Sequence, residues 1–92
     1  MLGYTKSLLD ENEIVRVKYV KDSVPDRSVE DHFRNIGNVV GWTVCTLVDT
    51  TEIWTEMTFK YMYPIHFERA TLKKAVEVNG VIVQVSRDDK EM

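Results

Sequence analysis

Glu52-Ile53-Trp54-Thr55-Glu56-Met57-Thr58-Phe59-Lys60-Tyr61 alternates with a period of two. Its odd positions are Ile53, Thr55, Met57, Phe59 and Tyr61, and its even positions are Glu52, Trp54, Glu56, Thr58 and Lys60. Successive strand side chains point to opposite faces, so this pattern describes a strand with one face buried and the other uncovered. No Gly or Pro interrupts it, and β-branched and aromatic residues favour a pleated surface. The stretch is expected to be the middle strand of a one-sided sheet, with the large rings of Phe59 and Tyr61 inside.

The neighbours on both sides fit that frame. Val39 to Val48 is rich in β-branched residues, and Asp49-Thr50-Thr51 is a short turn into the quoted stretch, so the two form a hairpin. Further back, Ile14 to Val20 alternates again, with Val15, Val17 and Tyr19 on one face and Ile14, Arg16 and Lys18 on the other. Between these strands, Asp22, Ser23 and Pro25 supply helix-start chemistry. Val29, Phe33 and Ile36 recur at helical spacing, which predicts a helix over 25–36 ended by Gly37 in a left-handed turn. Its solvent face carries Asp26, Arg27, Glu30, Asp31 and Arg34.

On the carboxyl-terminal side, Pro64 opens a second predicted helix over 65–78. Leu72, Ala75 and Val76 form its inward stripe, flanked by Phe67 and Val78, and Asn79-Gly80 ends it. Val81 to Ser86 is a last short strand. Residues 1–12 read as an arm, with Leu8 and Leu9 docking on the domain edge, and 88–92 as a polar tail continuing into a longer protein. The domain proper is 13–87. The order β-α-β-β-α-β, with strands apolar on one face only, gives an α+β ferredoxin-like two-layer sandwich. Its four-stranded antiparallel sheet has the first and third strands at the centre and both helices on one face.

Composition narrows the function classes. Ninety-two residues carry a formal net charge of −3 with the two signs interspersed, whereas a domain holding nucleic acid by its backbone is usually basic. Cys45 is the single cysteine, so no disulfide framework forms within the chain. No apolar run is long enough to span a membrane and no signal-peptide pattern opens the chain, which points to a reducing intracellular setting, cytoplasmic or nuclear. His32 and His66 lie in different elements without a metal-ligand partner at helical spacing, and Cys45 has no base placed beside it. Lys21-Asp22-Ser23-Val24-Pro25, after the first strand, has no glycine with which to cradle a phosphate. No catalytic constellation, metal site or cofactor site emerges.

Several stretches resemble an RNA recognition motif (RRM). Val15-Arg16-Val17-Lys18-Tyr19-Val20 falls on the family's first-strand RNP2 motif. Phe33-Arg34-Asn35-Ile36-Gly37-Asn38-Val39-Val40 is similar to its helix end and following turn, and Lys74-Ala75-Val76-Glu77-Val78-Asn79-Gly80 to its second helix. The resemblance implies a sheet whose outward aromatics stack RNA bases. This chain departs from it at those positions. The RNP2 aromatic position is Arg16, and the two RNP1 positions, in Trp54-Thr55-Glu56-Met57-Thr58-Phe59-Lys60-Tyr61, are Glu56 and Thr58. Sliding the register by two residues cannot turn Phe59 or Tyr61 outward. Each lost stack forfeits roughly 1–3 kcal/mol per base.

The resemblance thus implies a degenerate, non-enzymatic RRM that binds protein, either another RRM or a second copy of itself. The wording of the domain is also similar to the RRM of a scaffold subunit in a germline small-RNA (piRNA) processing complex. Arg16, Lys18, Leu47, Trp54, Glu56 and Thr58 are the expected partner-binding residues, with Trp and Arg as the usual anchors. The alternative is weak single-stranded RNA binding by Arg16, Lys18, Lys60, Lys73, Lys74 and Arg87. There, Lys73, Lys74 and Arg69 form a basic stripe on the second predicted helix.

Overall fold

The structure, a computed structural model, describes residues 14–87. The expected arm over 1–12 and the tail over 88–92 lie outside the described residues. The elements are β1 (Ile14–Val20), α1 (Asp26–Arg34), β2 (Val39–Val48), β3 (Ile53–Tyr61), α2 (Pro64–Ala70), β4 (Ala75–Val78) and β5 (Val81–Arg87). The sheet order is β2-β3-β1-β5-β4, and all neighbouring strands run antiparallel.

The alternation in β3 is realised. Thr55, Met57, Phe59 and Tyr61 are buried, and Trp54, Glu56, Thr58 and Lys60 point the other way. β1 follows the same rule, with Val15, Val17 and Tyr19 fully buried. Beneath them, α1 contributes Val29 and Phe33, α2 contributes Phe67 and Ala70, and β5 contributes Val83 and Val85. Phe33 stacks on Phe59 with ring centroids 5.3 Å apart. Two phenols tie the layers: the Tyr61 hydroxyl donates to the Phe33 carbonyl at 2.6 Å, and that of Tyr19 to Asp26 Oδ1 at 2.6 Å. Buried hydroxyls need such partners.

Three expectations change. The second helix ends at Ala70 rather than near Val78, and Ala75–Val78 is a strand, so among the described residues the sheet has five strands and not four. Asn79 (φ 52°) and Gly80 (φ 81°) both lie in the left-handed region. That pair of dihedrals makes the two-residue type I′ turn of a β-hairpin, for which Asn-Gly is the favoured sequence. The stretch therefore joins β4 to β5 instead of capping a helix, and the stripe of Leu72, Ala75 and Val76 does not exist: Leu72 and Ala75 are exposed.

The other two concern α1. Pro25 takes its N-cap position, while Ser23 Oγ donates backwards to the Val20 carbonyl at 2.6 Å, so the short polar side chains close the preceding turn rather than cap the helix. Gly37 is not in the left-handed region. Its lack of a side chain answers a different need: a Cβ there would run into the His66 side chain. The His66 ring packs over this turn, and its Nδ1 accepts the Asn38 N–H at 3.1 Å.

Three outcomes follow from this packing. Phe59→Ala should lower unfolding free energy by roughly 3–5 kcal/mol in chemical denaturation, because it empties a close-packed site against Phe33; an unchanged midpoint would mean the ring is not in the core. Gly37→Ala should cost about 1–3 kcal/mol by overpacking. Adding His66→Ala should recover part of that loss, which a double-mutant cycle reads as coupling. Burial raises the pKa of both Tyr19 and Tyr61, with Asp26 adding to the effect at Tyr19. Their contribution to stability is thus intact below the unfolded phenol value of about 10 and is lost as pH rises beyond it. Alkaline titration followed by circular dichroism should show tyrosine ionisation accompanying loss of structure, not preceding it.

Candidate interaction surface on the open sheet face

The ladder registers set out the uncovered face in rows. Leu47, Trp54 and Val20 form one row, the first two paired across β2 and β3 and the last two across β3 and β1. Cys45, Glu56, Lys18, Gln84 and Ala75 form the next, and Thr43, Thr58, Arg16 and Ser86 the one after. Gly41, Lys60 and Ile14 close the far end. All six expected partner-binding residues, Arg16, Lys18, Leu47, Trp54, Glu56 and Thr58, therefore share one surface.

Their side chains are largely occupied with each other. Arg16 Nη1 sits 3.4 Å from Glu56 Oε1, and the Cys45 thiol donates to the same oxygen at 3.8 Å. Thr43 and Thr58 share a short hydroxyl–hydroxyl hydrogen bond. Lys18 Nζ lies 5.4 Å from the centre of the Trp54 ring, a cation–π distance. The three positions where the RRM family stacks bases thus hold a guanidinium, a carboxylate and a threonine, with Arg16 directly across from Thr58 and ion-paired to Glu56. No ring stands there. At the other end of the sheet, Leu47 and half-buried Trp54 form an apolar corner beside Val20 and the β2–β3 turn.

The basic residues divide. Arg16, Lys18 and Lys74 line one hollow of about 330 Å³ together with Glu56, Gln84 and Ser86. Lys60 lies at the Ile14 end of the open face. Arg87 does not join them: its guanidinium stacks 4.9 Å from the Phe67 ring, on the helix side. Lys73 and Lys74 follow α2 in the bend before β4 and share no helix stripe with Arg69, because the helix has ended. Sequence reasoning also missed Val20, Ala75 and Glu77 on this face. Val20 continues the Arg16–Lys18 alternation, and the other two follow once Asn79-Gly80 is read as a hairpin turn.

Comparison with known proteins rests on shape. No protein-family model matches the chain, and no curated protein matches it. Among solved structures, one chain from the complex structure of two RRM domains superimposes with a TM-score of 0.65 at 11% identity, covering 88% of this chain and 98% of its own length. Identity that low carries the architecture and nothing finer. Among the described residues, no helix is long and apolar enough to cross a membrane. The chain has an RRM-like fold, with five strands in its sheet among the described residues.

Proposed function

We propose that this domain is a non-enzymatic, RRM-like protein–protein interaction module that helps assemble an RNA-processing complex. The resemblance to a scaffold subunit of the germline piRNA machinery makes a cytoplasmic small-RNA complex the specific setting. The observation that carries the reading is the substitution of Arg16, Glu56 and Thr58 for the stacking rings, with two of the three bonded to each other. A carboxylate at the centre of the face repels phosphate and offers no π-surface, so the usual RNA platform is missing. What remains is an anchor suited to protein: a Trp steadied by a lysine, a neighbouring Leu, and a ring of polar groups around them.

One observation favours a second reading, atypical single-stranded RNA binding. Arg16, Lys18 and Lys74 converge on one hollow, with Trp54 beside Lys18. A phosphate could lodge there and a base could rest on the indole. The net charge of −3 works against that use.

The two readings separate by mutation and by salt. Trp54→Ala should weaken the complex with the protein partner recovered from the full-length protein by about 30-fold, equivalent to about 2 kcal/mol. Arg16→Glu should also weaken it, and both variants should melt with the parent. RNA binding, if it were the function, would instead show log affinity falling linearly with log salt. Full partner affinity in both variants would move the interface off the open face, and a steep salt-dependent capture of a generic single-stranded RNA would select the second reading.

A further inference from the structure

The two edges of the sheet are built in opposite ways. β4 is only four residues long, carries Glu77, and is preceded by Lys73 and Lys74. Short strands and charges are the usual means of blunting an edge. β2 has neither. It runs ten residues, Val-Val-Gly-Trp-Thr-Val-Cys-Thr-Leu-Val, without a charge or a proline. One irregularity, between Val39 and Gly41, sits at its start, and from Trp42 to Val48 its pairing with β3 is regular. Among the described residues, no strand pairs with it on its other side. A long, regular, uncharged edge of this kind is a template for another strand.

Its helix-side face is equally uncovered. The registers put Trp42, Val44 and Val48 on the same side as Phe59, Met57 and Ile53, yet Val39 is the β2 residue that packs on the core, which is otherwise drawn from β1, β3, β4, β5 and the helices. Trp42 is 38% exposed, Val44 42%, Val48 78% and Ile53 46%. Together these four side chains present an apolar patch of roughly 300–400 Å², within the range that marks an interaction site on a monomer.

We propose that β2 pairs antiparallel with β2 of a second copy of this chain, joining two sheets into one across a two-fold axis at Cys45. The regular segment Trp42–Val48 has its midpoint at Cys45, so a pairing centred there uses every residue of it. Trp42 then meets Val48 of the partner copy, Val44 meets Thr46, Thr43 meets Leu47, and Cys45 meets itself. Positions directly opposite in a ladder share a face, and each of these pairs has matching parity, so both faces of β2 continue unbroken into the partner. An uncharged strand can be laid against itself with no like charges opposed, which is the condition for a self-complementary interface. A stable complex buries roughly 800 Å² per partner; the seven paired residues supply part of that, so the dimer is a weak one that dissociates on dilution. Growth stops at two copies because β4, the other edge, is short and charged. The pairing leaves Trp54, one strand in from the edge, accessible on the open face, and only Leu47 belongs to both surfaces.

The purified chain should sediment as a dimer of twice its 10.7 kDa mass, dissociating on dilution. Val44→Lys and Thr46→Lys, each at an exposed position, should raise the dimer Kd by at least about tenfold while leaving the melting temperature of the monomer unchanged. Mild oxidation should cross-link the parent through Cys45. A Thr43→Cys variant on a Cys45→Ser background should cross-link far less, since its two cysteines are four residues out of register. A chain that stays monomeric to millimolar concentration overturns the proposal, as does a dimer indifferent to both lysines. So does a monomer that loses a different protein on Val44→Lys, which would assign the edge to a foreign strand. Loss of partner binding in Trp54→Ala with the dimer intact supports it, because the two surfaces then act separately.

Discussion

Every ring that β3 commits to the core is a ring withheld from the open face. The alternation of a strand's side chains is rigid, and it makes Phe59 and Tyr61 structural at the cost of their use as stacking platforms. Because β3 is flanked by β1 and β2, its parity passes through the registers to both. Arg16 is held opposite Thr58, and Cys45 opposite Glu56, by backbone hydrogen bonding alone. The polar contacts of the open face then form among side chains that had no choice of neighbours.

Coverage of the other face is limited by the helices available. The described residues hold two, of nine and seven residues, above a sheet of five strands. Two helices about 10 Å across, laid side by side, cover ~20 Å, or about four strands spaced about 4.8 Å apart. The core shows which: β1, β3 and β5 supply most of the buried sheet residues, with β4 giving Val78. β2 is left over. Beyond Val39, its helix-side residues Trp42, Val44 and Val48 point to the side where a core would be and stay exposed.

Most of this was legible from periodicity, and the largest failure has one cause. β1, β3 and α1 were readable because their patterns are long and unambiguous. Residues 71–80 were not, because Leu72, Ala75 and Val76 fit a helical stripe while Val76, Val78, Val81, Val83 and Val85 fit a period of two. Helix propensity disfavours the β-branched half of that list, and Asn-Gly between two such runs is the stronger short-range signal. The misplaced helix carried the basic stripe with it: Lys73 and Lys74 lost their common face with Arg69, though Lys74 gained a place beside Arg16 and Lys18. The six open-face residues stayed together because they depend on parity, which no helix boundary disturbs. The bareness of β2 had no local signature at all, since exposure there is set by how far distant helices reach.

The energetics of the open face bear on what it is for. The Arg16–Glu56 pair is partly solvated, with the side chains 38% and 14% exposed. Pairs of that kind contribute about 0–1 kcal/mol to stability, and a cation over an exposed indole about 0.5–1 kcal/mol. The domain's stability rests instead on the rings and valines beneath the sheet, so replacing the polar lattice by neutral residues would cost the fold little. Charged residues arranged where they add little stability instead shape which surfaces can approach. On the proposed reading, an incoming phosphate meets Glu56 beside Arg16, whereas an incoming peptide would exchange hydrogen bonds with Thr43, Thr58 and Gln84 and seat an apolar side chain between Leu47 and Trp54. Selectivity of this sort works by penalising the wrong partner as much as by favouring the right one. On that reading, the carboxylate of Glu56 supplies the penalty.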